Sequence, residues 1–326
     1  MSEIMYNAKQ KERYLDNCKY EDTTIETIKI IFRASADVER FYNTDVSLFN
    51  RLQVYDFLKK INARSRSYLR SACIYLSDYY NWCYLEHLVP TNVIGNQFDV
   101  NMTRGLIEEI IPKEMLANKY FTREELIEYI NNQKDISNKF ILYALYYGVK
   151  GEEYQELINI KIEDLDEQNK VLSLITGRTI QVDNLFIDLM KQTNCSNFYY
   201  VDGIKKTLRN GANEYLPSRY VLKQCQTGTS DSPITKGVLQ PRLGVIKDAS
   251  GNPYLTVSVI YKNGLINYIK KQYTKQNITL KQAMTSMING AEYQYEKQTQ
   301  DYIYEFGSKI TTRMLRLEIK DYLDLL

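Results

Sequence analysis

The stretch EEYQELINIKIEDLDEQNKVLSLITGRTIQV, Glu152 to Val182, decides the fold that this sequence predicts. It begins with a short helical segment and a turn, and Val171 to Ile175 then indicates a strand. The segment GRTIQV supplies a second strand, so the pair can form a β-hairpin. Helical patterns extend from both ends of this stretch. The sequence therefore predicts a mainly α-helical protein with one small hairpin.

The hairpin lies inside a second domain, which we predict over residues 121–326. Thr122 and Glu125 form a capping box at its first helix, because their side chains can satisfy two free amide donors. A second helix ends at Gly148. The remaining helical segments are predicted over 184–191, near 217–226, over 257–271, around 279–288, and in a tail broken at Gly307.

The residues before the second domain divide into a helical part and a linker. Residues 1–88 have apolar positions at helical spacing in three long segments, as an amphipathic helix requires. Residues 89–120 contain Pro, Gly and Asn punctuation that breaks this pattern, although a short helix can form near Gly105. We therefore predict a small helical domain over 1–88 and a linker region over 89–120.

Composition excludes several classes of protein. Hydrophobic residues make up 44% of the chain and charged residues 25%, as in ordinary globular proteins, and no apolar run is long enough to span a bilayer. The five cysteines form no CxxC pair, which predicts a reduced, cytoplasmic chain without a zinc site. His87 is the only histidine, so a multi-histidine metal site is impossible. No phosphate-binding loop is present, and we expect no cofactor.

Charge is segregated along a chain whose formal net charge is only +2. Residues 59–70 contain no acid, residues 249–291 carry only lysines as charged residues, and bases dominate 205–247. Such segregation is typical of nucleic-acid-binding proteins, although each run alone could be a solvated helix face. The expected DNA contacts are Lys59, Lys60, Arg64, Arg66, Arg70, Arg178, Lys205, Lys206, Arg209, Arg219, Lys262, Lys270 and Lys271. Candidate base-reading side chains are Asn62, Arg209, Asn210 and Arg219.

Three short motifs, in this order, carry a resemblance to a known family. FTREEL opens the second domain, ELINIKIEDLD spans Glu156 to Asp166, and GRTIQV forms the hairpin. With the two-domain helical order, they resemble the tyrosine recombinase (phage integrase) family over nearly the whole chain. The resemblance implies that residues 1–88 correspond to the helical core-binding half of a clamp around DNA. Residues 121–326 would correspond to the catalytic domain.

The resemblance fails at the positions that carry the family's chemistry. Active members hold the scissile phosphate with two arginines, a lysine and histidines. The first arginine falls on Glu153 when counted back from the glutamate of the second motif, or on Lys150 when aligned on the preceding glycine. The His-x-x-Arg pair falls on Ser258 and Tyr261, and a later histidine falls on Ala291. The hairpin lysine has no clear counterpart. Glutamate repels phosphate, and lysine lacks the planar fork of arginine.

Only the family's tyrosine nucleophile has candidates here, Tyr302 and Tyr304. A tyrosine with a pKa near 10 stays protonated without a phosphate clamp and is a poor nucleophile. Tyrosine is also abundant, with 29 residues in the chain, so one near this position is expected by chance. The resemblance therefore implies a recombinase scaffold whose catalytic function is lost.

A scaffold that keeps phosphate contacts without a reaction centre can still bind double-stranded DNA. The chain resembles a recombinase-like prophage repressor, which implies that it keeps lytic genes silent. Two alternatives remain: an active recombinase with an atypical site, and a protein-interaction factor that touches DNA little. In the family the C-terminal tail often docks on a neighbouring protomer, so self-association through the residues after Gly307 is a further hypothesis.

Overall fold

The computed structural model describes residues 5–63, 65–90, 95–111, 119–201, 204–205, 214–225, 230–288 and 293–319. The chain divides into two compact units, Met1–Ala117 and Asn118–Leu326, which we describe separately. Most of the described residues are helical, with a three-stranded sheet in the second unit, so the predicted mainly α class is confirmed. Within the described ranges, none of the helices has the length and apolar character needed to cross a bilayer.

The described residues of the first unit form a bundle of five α-helices. Asn50 and Gln53 form a capping box at the start of the third helix, and the Ser65 hydroxyl caps the fourth by accepting from the Tyr68 amide. The helices are α1 Ala8–Asn17, α2 Asp22–Tyr42, α3 Arg51–Lys60, α4 Arg66–Leu85 and α5 Val100–Ile110.

Helix α5 lies within the region that the sequence indicated as a linker. The Asp99 carboxylate caps its start, and Leu106 and Ile107 are buried in the core of the first unit. The first unit therefore extends beyond the predicted boundary at residue 88. The Gly and Asn punctuation before α5 marks a loop inside one unit, and it does not mark the end of a domain.

The core of the first unit surrounds one buried ion pair. The Lys11 ammonium donates to both Glu39 carboxylate oxygens, at 2.7 and 2.6 Å, and both side chains are fully buried. Glu39 also accepts from the Ser35 hydroxyl and the Val46 amide. Burial raises the pKa of Glu39, and the charge and hydrogen bonds of Lys11 oppose that rise. This carboxylate thereby joins α1, α2 and the turn before α3.

The second unit contains nine further α-helices in its described residues, and two small antiparallel sheets. The sheets are β1 Leu165–Asp166, β2 Val171–Ser173 and β3 Thr179–Gln181, and separately β4 Tyr200–Val201 and β5 Ile204–Lys205. The helices are α6 Arg123–Asn131, α7 Ile136–Tyr146, α8 Gln155–Ile158, α9 Asn184–Cys195, α10 Lys236–Ser250, α11 Val257–Thr274, α12 Leu280–Ile288, α13 Tyr293–Glu305 and α14 Thr312–Ile319.

The predicted hairpin is confirmed, with Leu172 opposite Ile180 in an antiparallel register. Strand β1 adds a third strand on the other side of β2. The prediction of a helix near residues 217–226 is wrong. The described part of this segment is not helical and forms isolated bridges at Tyr220 and Cys225. Helix α10 was not predicted, because Gly237 and Pro241 interrupt its helical pattern.

Helix α7 is the centre of the second unit. Every side chain from Ser137 to Tyr146 except that of Lys139 is buried, so nearly the whole surface of this helix is covered by protein. Helix α11 crosses it so closely that a Cβ atom added at Gly264 would lie 1.8 Å from the Tyr146 carbonyl oxygen. Real Cβ atoms do not approach a carbonyl oxygen to that distance, so the crossing requires glycine at position 264.

The C-terminal tail packs on its own unit as far as it is described. Leu315 and Ile319 of α14 are buried in a cluster with α11, α12 and α13. The Arg316 guanidinium donates to the Met287 carbonyl oxygen at 3.0 Å. The hypothesis that the tail docks on another protomer therefore concerns only residues after Ile319, which lie outside the described residues.

We predict that Gly264→Ala destabilises the second unit by at least about 3 kcal/mol, because the added methyl group cannot be accommodated without moving α11 away from α7. Gly244→Ala in α10 is the matched control, since a Cβ atom there has no neighbour within 4 Å. It should raise stability by about 0.5–1 kcal/mol through helix propensity.

Urea unfolding followed by far-UV circular dichroism measures both effects. Trp82, the only tryptophan, lies in the first unit and stacks on Tyr79. Its fluorescence reports that unit and should give an unchanged midpoint in both variants. Equal stability of Gly264→Ala and wild-type protein would show that α11 and α7 are not packed as described.

Candidate functional site

Two of the residues that the sequence aligned with a recombinase reaction centre, Lys150 and Tyr261, lie beside a buried ion pair. The Arg178 guanidinium, just before β3, donates to both carboxylate oxygens of Glu156, at 2.7 and 3.3 Å. It also donates to the carbonyl oxygens of Gly148 at 2.7 Å and of Phe306 at 2.9 Å. Burial alone would raise the pKa of Glu156, but hydrogen bonds from Arg178 and Thr176 and the Arg178 charge hold it below its ordinary value.

This network corrects the expectation that Arg178 contacts DNA. Its side chain is only 16% exposed, and all three of its nitrogens donate to protein oxygens. A guanidinium with its donors occupied cannot also form the paired hydrogen bonds that hold a phosphate. Gly307 approaches Arg178 so closely that a Cβ atom there would lie 2.6 Å from the guanidinium carbon. Arg178 therefore has a structural role.

Lys150 and Tyr261 come together beside this network. The Lys150 ammonium lies 5.7 Å from the centroid of the Tyr261 ring, within cation–π range. The Tyr261 ring packs edge-on against Phe306, with 5.1 Å between centroids. Burial raises the pKa of the Tyr261 hydroxyl to about 12, so it stays protonated at neutral pH. The tyrosine thus occupies, with its ring, the place where the resemblance puts an arginine.

Glu153, the alternative position for the first arginine, faces solvent. Its carboxylate accepts from the Lys236 ammonium at 2.7 Å, and that contact lowers the pKa of Glu153. Ser258 is exposed in the first turn of α11. Ala291 lies outside the described residues. Among the described residues, no arginine with a free guanidinium lies beside Lys150 or Tyr261, because Arg178 is occupied.

The two candidate tyrosines, Tyr302 and Tyr304, lie in different surroundings. The Tyr302 hydroxyl accepts from Gln276 at 2.6 Å and from Gln298 at 2.8 Å, and its ring packs edge-on against Tyr273. Tyr273 is twelve residues beyond Tyr261 on α11, which is about 18 Å along the helix axis. Tyr304 is 60% exposed and lines a cavity on the side of α11 that carries Lys271. Tyr302 therefore lies well away from Lys150 and Tyr261, whereas Tyr304 lines the same cavity as Phe306, whose ring packs against Tyr261.

The predicted DNA contacts of the first unit lie at one corner, between the end of α3 and the start of α4. Lys60 forms an exposed ion pair with Asp37, and the Arg66 guanidinium donates to the Ile111 carbonyl oxygen. We call the four described cations at this corner, Lys59, Lys60, Arg66 and Arg70, the basic edge. Arg64 lies outside the described residues, and Asn62 is exposed between the two helices.

The lysines of α11 do not share one face. Lys262 and Lys271 are nine residues apart, which places them on opposite sides of the helix. Lys270 is exposed, and Lys271 lines the cavity already mentioned. Lys206, Arg209 and Asn210 lie outside the described residues, as does the side chain of Lys205.

Arg219 belongs to a small group of aromatic and basic side chains. Its guanidinium lies 5.6 Å from the Tyr220 ring centroid, and it pairs with Asp231 at 3.5 Å. The Lys161 ammonium lies 5.8 Å from the same ring. Lys161 was not predicted as a site residue, because it is more than 50 residues away in sequence and carries no local signal. An antiparallel bridge between Lys161 and Tyr220 brings them together.

Comparisons with known proteins match both units. The profile of the MrpR C-terminal catalytic domain matches residues 120–319, and that of the MrpR N-terminal core-binding domain matches residues 5–85. No curated protein sequence matches the chain.

Three solved structures have chains similar to this one. A Tn1549 transposon integrase bound to circular-intermediate DNA is 11% identical, with a TM-score of 0.42 and coverage of 96% of this chain and 93% of that chain. A λ integrase dimer bound to a core site is 13% identical, with a TM-score of 0.42 and coverage of 96% and 95%. XerA recombinase is 14% identical, with a TM-score of 0.34 and coverage of 96% of both chains.

We predict that Arg178→Met destabilises the second unit by about 3–5 kcal/mol at pH 7, because Glu156 is left buried without its cation. The pH dependence should also change sign. In the wild type the pKa of Glu156 is lowered by folding, so its contribution to stability is lost as pH falls below about 4.5. In the variant, burial raises that pKa, so stability falls as pH rises above about 4.5.

Urea midpoints measured by circular dichroism between pH 4 and 8 distinguish the pH profile of the wild type from that of Arg178→Met. Arg219→Met is the matched control, because its pair with Asp231 is half exposed and should contribute less than about 1 kcal/mol. A variant at Arg178 with wild-type stability and pH profile would contradict the structural role given to this residue.

Proposed function

The chain belongs to the MrpR family, and on that basis we propose that it is a DNA-binding repressor that maintains prophage lysogeny. In this proposal a tyrosine-recombinase scaffold holds double-stranded DNA and does not cut it. The observation that carries the proposal is the state of the aligned site, where the Lys150 ammonium lies over the Tyr261 ring and the Arg178 guanidinium is bound to Glu156.

Strand transfer requires a nucleophile and cations at the same phosphate. A phosphate that changes geometry during attack needs preorganised hydrogen-bond donors within about 3 Å. Each missing donor raises the activation barrier by on the order of 3 kcal/mol. Lys150 offers a point charge directed at the Tyr261 ring, and Glu153 offers a negative charge. The arrangement therefore favours binding of DNA without catalysis.

Binding of DNA needs only cations that can reach the phosphate backbone. The basic edge places Lys59 and Arg70 on the surface at the junction of α3 and α4. In the second unit, Lys270 is exposed on α11, and Arg219 stacks on Tyr220. Lysine and arginine contacts of this kind supply the sequence-independent part of DNA affinity, and side chains beside them read bases.

A protein that binds a DNA site tightly without processing it can block transcription by occupying the site. In this proposal the partner is therefore an operator in the phage genome that carries the gene for this chain. Footprinting on that genome gives the position and length of each site. A clamp formed from two units should protect a long segment, and a protein-interaction factor should protect none.

We predict that the purified chain shifts a duplex from its own phage genome and forms no covalent adduct with it. The test uses a nicked suicide duplex, which traps the phosphotyrosine link that a recombinase forms, followed by denaturing electrophoresis. Wild type, Tyr302→Phe and Tyr304→Phe should give the same single band of free protein. An adduct in the wild type that disappears in either variant would contradict the inactive scaffold.

We predict that Arg70→Glu and Lys270→Glu each weaken binding to the footprinted duplex. Each lost phosphate contact should reduce the salt dependence, the slope of log affinity against log salt concentration, by about 0.9. The control is Lys9→Glu, which makes the same charge change at an exposed position outside the three basic runs. Fluorescence anisotropy at several salt concentrations measures both quantities. If Arg70→Glu and Lys270→Glu both bound like the wild type, the basic runs would not contact DNA.

A further inference from the structure

The second unit contains a cavity of about 620 Å³ that the function proposed above does not use. Its floor is formed by the buried ends of α7 and α13, where Tyr146 and Phe306 are at most 5% exposed. Strand β3 forms one wall and α11 the other. Its volume lies in the range of pockets that hold small organic ligands, about 300–1,000 Å³.

Aromatic side chains dominate the lining of this cavity. Tyr143 and Tyr147 face it from α7, and Tyr268 faces it from α11. Tyr304 also lines the cavity, and 60% of its surface is exposed. Such rings offer flat apolar surfaces on which a planar group can stack.

Cations are grouped on one side of the same cavity. Lys271 and Lys275 lie one turn apart on α11, so they point the same way, and Arg123 faces them from α6. Loss of hydration lowers the pKa of Lys271, and the charges of Arg123 and Lys275 lower it further, while Asp183 opposes them. This group of mutually repelling positive charges favours binding of an anion.

The carboxylates that face the cavity are already satisfied. Asp183 accepts from the Arg123 guanidinium and from the Tyr143 hydroxyl, both at 2.8 Å. Glu305 accepts from the Tyr268 hydroxyl at 2.8 Å. Of the four lining cations, Arg178 is paired with Glu156 and Arg123 with Asp183, so Lys271 and Lys275 supply the positive charge that is left for a ligand.

We propose that this cavity binds a small aromatic anion, with its ring between Tyr304 and Phe306 and its anionic group at Lys271 and Lys275. The expected ligand has a planar system of one or two rings and bears a phosphate or a carboxylate. The site uses Lys271, one of the expected DNA contacts, but none of the residues on which the proposed DNA binding rests: the basic edge, Arg219 and Lys270.

The test uses two dyes of nearly equal shape, 8-anilinonaphthalene-1-sulfonate, which is anionic, and N-phenyl-1-naphthylamine, which is neutral. The sulfonate should bind the full-length chain with a stoichiometry of one. The double variant Lys271→Gln/Lys275→Gln should weaken it at least about tenfold and leave the neutral dye unaffected, because only the anion uses the two lysines. Tyr304→Ala should weaken both dyes.

Lys270→Gln is the matched control, since this neighbouring lysine is exposed and does not line the cavity. It should bind both dyes like the wild type. Loss of one-to-one sulfonate binding, or equal effects of Lys270→Gln and the double variant, would overturn the proposal. Circular dichroism of each variant shows that the fold is intact, and all of the substituted side chains are exposed.

Competition identifies the anionic group. Adenosine monophosphate carries a ring system and a phosphate, and a naphthalene carboxylate carries the same ring as the dye with a carboxylate. Displacement of the sulfonate by the first, the second or both supports the site and ranks its preference. If neither displaces the dye at millimolar concentration, the cavity does not recognise aromatic anions and the proposal is wrong.

Discussion

The guanidinium of Arg178 is the interaction on which the second unit depends. It joins the hairpin to Glu156 of α8, to the end of α7 through the Gly148 carbonyl, and to the end of α13 through the Phe306 carbonyl. Segments around residues 148–156, 178 and 306 meet at one planar cation. The planar guanidinium can donate to several oxygens at once, which a lysine ammonium cannot do in one plane. Of the positions that the resemblance assigns to catalysis, Lys150 and Tyr261 lie beside this cation.

The same interaction stabilises the place where the resemblance puts a reaction centre. Arginines that hold a phosphate must leave their donors free in the absence of DNA, and such free charges destabilise a folded chain when they are buried. Here the buried arginine is neutralised by Glu156, and Tyr261 fills the neighbouring space with a ring. Residues at the aligned positions thereby stabilise the fold. Under the proposed function this is the usual relation between stability and activity, in which a site without a catalytic role can be packed better.

The sequence predicted those parts of the fold whose signals are local. The hairpin follows from alternating strand residues around Gly177, and α11 follows from its helical apolar spacing. It failed where a local signal conflicts with tertiary packing. Helix α10 forms despite Pro241, and its buried Arg242 lies between the rings of Tyr199 and Tyr215. The role of Arg178 could not be predicted, since its partners come from three distant segments that only the folded chain brings together.

The cavity beside α11 likewise could not be predicted from the sequence. Lys271 belongs to a basic run, and in the sequence it is equivalent to Lys270. In the structure Lys271 lines the cavity with Tyr268, and Lys270 is exposed to solvent. The two differ because adjacent helical residues point about 100° apart. Positive charge in one run is therefore divided between two surfaces. If both surfaces bind anions, a ligand in the cavity and DNA outside it would act on the same helix, and α11 would be the element through which one could affect the other.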